Sequence, residues 1–213
     1  MSKFIINKEA FIKVDAFKSK EDSRFYLQGV YITPATEGVY LIATCGHKLA
    51  LWHDKTGKIE AEPGSLPISQ IIRVDKNIIS SLKKDKITEN IQITENEIAL
   101  VDIKEEEVIK KSSFNELSGF FIEGSFPDWQ RTFPTENPSA IPSISVNAKY
   151  MTEFALGERT TASVNFTFYG EKSPVVIRNY KFPEFLGLLM PIRNSSIEEH
   201  SFLKERREYK KAA

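Results

Sequence analysis

Three stretches of the chain share one pattern: a short apolar run, a single Asn or Asp, then apolar residues three, four and seven positions beyond it. Phe4, Ile5 and Ile6 precede Asn7, and Ala10, Phe11 and Val14 come after it. Ile71, Ile72 and Val74 precede Asp75, and Ile78, Ile79 and Leu82 come after it. Ile144, Ser145 and Val146 precede Asn147, and Tyr150, Met151 and Phe154 come after it. An Asn or Asp side chain accepts an unpaired N–H of the first helical turn, so each polar residue is read as an N-cap. The spacing puts the apolar side chains on one helix face. The alternative is three unrelated amphipathic helices, but the segments beyond each helix favour a repeat.

Short aromatic and β-branched runs come next in every case. They occupy residues 24–33 and 39–51, then 90–94, 98–103 and 120–123, then 164–169, 174–179 and 185–192. Such runs, broken by Pro, Gly and polar residues, predict antiparallel strands. Each module is then strand, helix and about three strands, an α+β plan with helices on one face of antiparallel sheets. The expected division is a two-module domain over 1–133 (1–62 and 63–133), then a linker over 134–143 carrying Pro134, Pro138 and Pro142. A third half-domain over 144–194 and a charged tail over 195–213 complete the chain.

Composition narrows the class. The 213 residues are 41% hydrophobic and 27% charged, with 15 Phe, as in a globular protein. No apolar run approaches the roughly 18 residues of a membrane span, no signal peptide opens the chain, and one cysteine, Cys45, suits a reducing compartment. A cytoplasmic protein without membrane contact is expected. The 29 basic and 29 acidic residues cancel, but not locally. Residues 1–20 carry five Lys against Glu9 and Asp15, and residues 70–86 carry Arg73, Lys76, Lys83, Lys84 and Lys86 against Asp75 and Asp85. Residues 89–107 carry seven acids against Lys104 alone. Charge by itself fits either a phosphate-tracking helix face or an ordinary solvated one.

Catalytic signals are weak. Cys45 and His47, two apart, would share a strand face, yet no Asn or Asp stands to orient the imidazole. Cys45, His47 and His53 match no zinc spacing. There is no Gly-rich phosphate loop, and Glu105, Glu106 and Glu107 read as a solvated turn. A non-enzymatic protein with neither cofactor nor metal is expected.

Specific residues then point to a family. Residues 24–30, RFYLQGV, and then residues 43–50, ATCGHKLA, resemble two consecutive segments of the bacterial DNA sliding clamp, the beta subunit of DNA polymerase III. Phe126, Pro127, Asp128, Trp129, Gln130 and Arg131, with Pro134, resemble the clamp's FPDYRRxxP segment. Asn147 and Tyr150 resemble its NxxY, Ser173, Pro174 and Val175 a late strand, and Met190, Pro191, Ile192 and Arg193 its terminal MPMR. The matches come in the family's order. Cys45 and Lys48 depart from it, standing where the motif has Asp and Arg.

The resemblance implies a DNA-clamp-like fold with helices lining a central hole and sheets outside. It implies a processivity factor that encircles duplex DNA as a homo-oligomer. Lys8, Lys13, Lys18, Lys20, Arg73, Lys76, Lys83, Lys84 and Lys149 would meet phosphates. It also implies a pocket that receives short hydrophobic motifs of DNA polymerase and clamp-loader subunits. Its wall would be Arg24, Leu27, Thr44, Gly46, His47, Lys48, Leu49, Pro127, Arg131, Asn147, Tyr150, Val175, Met190, Pro191, Ile192 and Arg193. The family has six modules where this chain has three, so a twelve-module ring would need four copies. Keeping the pocket while shedding modules also fits a decoy or regulator, of phage or mobile-element kind, that binds the same motifs without encircling DNA.

Overall fold

The computed structural model describes residues 2–192 apart from 62, 63, 65, 67, 106, 118, 142 and 159–161; Arg193 and the expected tail lie outside the described residues. The first module runs β1 (Lys3–Asn7), α1 (Lys8–Asp15), a 3₁₀ turn (Asp22–Leu27), β2 (Val30–Pro34), β3 (Val39–Thr44), β4 (Lys48–Asp54) and β5 (Lys58–Glu60). The second runs β6 (Gln70–Ile72), α2 (Lys76–Lys84), β7 (Asn90–Ile93), β8 (Glu97–Lys104), β9 (Glu107–Asn115) and β10 (Phe121–Ile122). The third has α3 (Ala148–Met151), which continues into a 3₁₀ turn (Thr152–Ala155), then β11 (Val164–Thr167), β12 (Val175–Asn179) and β13 (Phe185–Leu189).

All three predicted caps form. Asn7 Oδ1 accepts from the Ala10 N–H at 2.9 Å, Asp75 Oδ1 from Asn77 at 2.7 Å and Asn147 Oδ1 from Lys149 at 3.0 Å. The apolar stripes behind the caps turn inward: Ala10, Phe11, Val14, Ile79, Leu82 and Phe154 are buried, whereas Met151 remains exposed.

The strands make two antiparallel sheets, one of five strands in the order β5-β1-β7-β8-β9 and one of eight in the order β10-β6-β2-β3-β4-β13-β12-β11. The first two modules exchange their leading strands: β1 lies beside β7 of the second module, and β6 beside β2 of the first. The third module extends the first through β4 and β13, with Ala50 opposite Gly187 and Leu49 opposite Leu188. Aromatic packing fixes this join from the helix side. Phe17, just beyond α1, meets Phe154 edge-on at 5.1 Å, and Phe154 meets Phe185 of β13 at 6.4 Å.

Several expectations change. Residues 24–27 are not strand but part of the 3₁₀ turn, because the chain must tuck back: the Ser19 N–H donates to the Leu27 carbonyl at 2.8 Å. Residues 39–51 form two strands rather than one, turning at Gly46 with φ +86°, so Cys45 and His47 sit in a hairpin turn and share no strand face. β9 has no counterpart in the expected strands, since a largely exposed strand shows little apolar alternation. The expected strand at 144–146 pairs with no other strand among the described residues.

Candidate functional site at the seam of the first and third modules

The β3–β4 hairpin supplies one side of the seam. Thr44 Oγ1 donates to the Lys48 carbonyl at 2.7 Å and accepts from the Gly46 N–H at 3.0 Å, which closes the turn tightly. The positive φ at Gly46 favours glycine, and a Cβ there would stand 2.9 Å from Arg24 Nη1. The third module reaches the same turn twice. The Met190 N–H donates to the His47 carbonyl at 2.9 Å, and the Tyr150 ring stacks on the His47 ring at 5.8 Å. Met190 and Ile192 are 39% and 43% exposed, so apolar surface faces solvent beside His47. Arg24, Thr44, Gly46, His47, Tyr150 and Met190 therefore come together.

Strand alternation decides the rest. Lys48 faces the helices and is buried; its ammonium pairs with Glu153, lies 3.4 Å from the Ala16 carbonyl and stands over the Phe17 ring at 4.9 Å. Burial pushes that ammonium down to about 8, the charge of Lys20 acting the same way and Cys45 against it. Leu49 faces the other side of the sheet. There it forms a small apolar cluster with Ile42, Val176 and Leu188. Val175, expected in the pocket wall, instead packs in the helix-side core, and its neighbour Val176 takes the outer place. The period of two makes that correction. Leu27 is buried, and Asn147 is occupied as the cap of α3. Arg131 is exposed and paired with Asp128 at 2.8 Å; Pro191 is half-buried.

The outer face carries aromatic residues that the sequence reading missed. Phe126, Trp129 and Phe133 lie over Tyr31, Tyr40, Leu51 and the four-residue cluster. Tyr31 and Phe126 stack at 4.7 Å with ring planes 1° apart, and Trp129 meets Tyr40 edge-on at 5.9 Å. A cavity of about 310 Å³ opens between these strands and the segment carrying Pro127. The available signal was β3 itself: Tyr40 and Ile42 alternate with Leu41 and Ala43, so both faces are apolar and both need cover.

The cations divide into two sets. Lys8 is 7% exposed, and its ammonium donates to the Asp85 carboxylate at 2.6 Å and to the Asp85 carbonyl at 2.8 Å. Lys13 donates to the Leu156 carbonyl and pairs with Glu9; Lys18 pairs with Asp15 at 2.6 Å and reaches the Val74 carbonyl at 3.1 Å. These three hold the fold together and are not displayed to solvent as the sequence suggested. Lys20, Arg73, Lys76, Lys83, Lys84 and Lys149 are exposed. Among the described residues no cluster of three or more His, Cys, Asp or Glu could hold a metal, and no helix is long and apolar enough to cross a membrane.

No protein-family model matches the chain. The beta sliding clamp of Caulobacter vibrioides (strain NA1000 / CB15N) is 27% identical over 123 residues, 56% of this chain and 30% of that protein. Among solved structures, DNA polymerase III subunit beta from Borrelia burgdorferi superposes with a TM-score of 0.64 at 14% identity, covering 91% of this chain and 63% of that one. The sliding clamp from Bartonella birtlesii bound to griselimycin gives 0.63 at 19%, covering 90% and 66%. The beta subunit from Thermotoga maritima gives 0.62 at 16%, covering 92% and 66%. The chain spans less than a third of the curated relatives it matches and about two thirds of the solved clamps. Repeated strand–helix–strand modules, exchanged leading strands and this agreement over most of the chain lead to one conclusion: the chain has the fold of the bacterial DNA polymerase III beta sliding clamps.

Proposed function

We propose that the protein is a non-enzymatic, cytoplasmic, clamp-like processivity factor. It binds short hydrophobic motifs of DNA polymerase and clamp-loader subunits at the seam, and it encircles duplex DNA as a homo-oligomer. The observation that carries this reading is the hydrogen bond from Met190 to His47 beside the Tyr150 ring, which assembles a surface from two modules. Exposed Met and Ile side chains give such a surface an adaptable apolar floor. The wall then consists of Arg24, Thr44, Gly46, His47, Leu49, Tyr150, Met190, Pro191 and Ile192. Pro127 and Arg131 border it on the outer face. Phosphate contact falls to Lys20, Arg73, Lys76, Lys83, Lys84 and Lys149.

Binding of a labelled hydrophobic clamp-binding peptide tests the pocket. The double variant Met190→Ala/Ile192→Ala should weaken it at least tenfold while leaving the melting temperature near wild type. Undiminished affinity overturns the pocket. A second reading, a regulator that holds such motifs without encircling DNA, is favoured by one observation: Lys8, Lys13 and Lys18 spend their charge inside the protein. Retention on circular duplex that vanishes on linearisation supports the ring. Peptide binding without such retention supports the regulator.

A further inference from the structure

The first two modules obey a rule that the third obeys only in part. Each leading strand lies between two neighbours. One is the end segment of its own module, β5 for β1 and β10 for β6. The other is the first strand after the helix of the opposite module, β7 for β1 and β2 for β6. In the third module the leading segment, Ile144 to Val146, has its first neighbour: the Ile192 N–H donates to the Ser145 carbonyl at 2.7 Å. This repeats the second module, where the Arg73 N–H donates to the Phe120 carbonyl at 2.8 Å. Ser145 and Arg73 each stand two residues before their caps. Among the described residues the second neighbour is missing, and so is a strand for the outer edge of β11, whose one strand partner there is β12.

Backbone direction makes the two vacancies complementary. The Tyr180 N–H donates to the Ser163 carbonyl at 3.2 Å, so Ser163 turns its polar groups toward β12. Polar groups alternate sides along an antiparallel strand, so those of Val164 and Phe166 face the open edge. The next in that series, the Phe168 carbonyl, accepts from Ser139 at 2.9 Å on that edge. By the same alternation Ser145 faces Ile192, leaving Ile144 and Val146 directed away from it. The other end of the fold shows how an unpaired edge is blunted: β9 carries Lys110 and Lys111, paired with Glu97 and Asp102 of β8. β11, Val-Asn-Phe-Thr, carries no charge.

We infer that a second copy of this chain supplies the missing strand. Residues 144–146 of each copy add to β11 of the other about a two-fold axis, and two third modules together make one two-module domain of the kind the first two make within the chain. The pairing is mutual and closes on itself, as a two-fold interface requires. Three residues suffice, because β6 joins β2 over three. This assembly rests on the repeat alone and holds whether or not DNA is encircled.

Native mass spectrometry and sedimentation of the full chain test it. A dimer, or an even-numbered assembly built from dimers, is expected, and a monomer at tens of micromolar overturns the inference. Val164→Pro removes one outward N–H and leaves the β12 side intact, as proline is tolerated at an edge. It should halve the assembled mass with the circular dichroism spectrum preserved; an unchanged mass overturns the inference. Hydrogen exchange of the wild-type chain decides the matter even if that variant does not fold. Protection of the Val146 and Val164 amides that disappears on dilution to monomer supports the pairing, and free exchange in the assembled state overturns it.

Discussion

The Phe154 ring fills space that Gly187 leaves open: a Cβ on Gly187 would stand 2.5 Å from Phe154 Cε1 and 2.8 Å from Cδ1. Gly187 lies in β13 between Ala50 and Ile177, and Phe154 is hemmed in by Phe17 and Phe185, so neither side can give way cheaply. Gly187→Ala should cost about 1–3 kcal/mol by overpacking, and Phe154→Ala about 3–5 kcal/mol through the cavity left behind. Urea unfolding checks both, and a Gly187→Ala midpoint equal to wild type would show that the third module is held loosely against the first.

Lys8, the first residue of α1, and Asp85, the C-cap of α2, join these two helices. The hydrogen bond from Lys8, aided by the Thr88 N–H, holds the Asp85 carboxyl below its ordinary value of 3.8. A group depressed in the folded state stabilises it above the unfolded value and loses that contribution as pH falls through the folded one. The wild type should therefore lose melting temperature below about pH 4 more steeply than Asp85→Asn. At neutral pH Asp85→Ala leaves a buried ammonium without its carboxylate and should cost about 1–3 kcal/mol. A melting curve insensitive to the change at pH 7 would contradict the structural role given to Lys8.

The caps and helix stripes were legible because they are local: Asn7, Asp75 and Asn147 act on N–H groups two or three residues away. The repeat was legible for the same reason. Side choice was harder. Val175 and Val176 are chemically identical neighbours, and only the pairing of β12 with β13 decides which of them faces the helices. Lys8, Lys13 and Lys18 look like any solvated lysines in sequence, because Asp85 is 77 residues from the first and Leu156 is 143 from the second. The aromatic cover was missed because Phe126, Trp129 and Phe133 obey no period; they lie in a segment with little regular structure whose partners are fixed by the sheet beneath.

That cover yields its own test. Tyr31 and Phe126 stack nearly parallel at 4.7 Å, while the Tyr31 backbone is held in β2 regardless. A double-mutant cycle with Tyr31→Ala and Phe126→Ala should return a coupling of about 0.5–1.5 kcal/mol. A coupling near zero would mean that the segment from 126 to 133 rests on the sheet through Trp129 and Phe133 alone.

The two sets of lysines make different predictions for DNA. Counterion release ties the salt dependence of binding to the number of phosphates neutralised, with a log–log slope of about 0.9 per contact. Lys83 and Lys84 are exposed in the last turn of α2, and Lys76 is exposed in its first. Lys83→Gln/Lys84→Gln should therefore lower the slope by about one to two contacts and leave the melting temperature within a degree or so of wild type. Lys8→Met should do the reverse, because its ammonium already spends its hydrogen bonds on Asp85. Fluorescence anisotropy on duplex DNA across 50–300 mM salt, roughly the range in which such slopes are read, separates the two. If Lys8→Met alters the slope and the α2 pair does not, DNA does not approach from the α2 side, and the placing of phosphate contacts on these exposed cations fails.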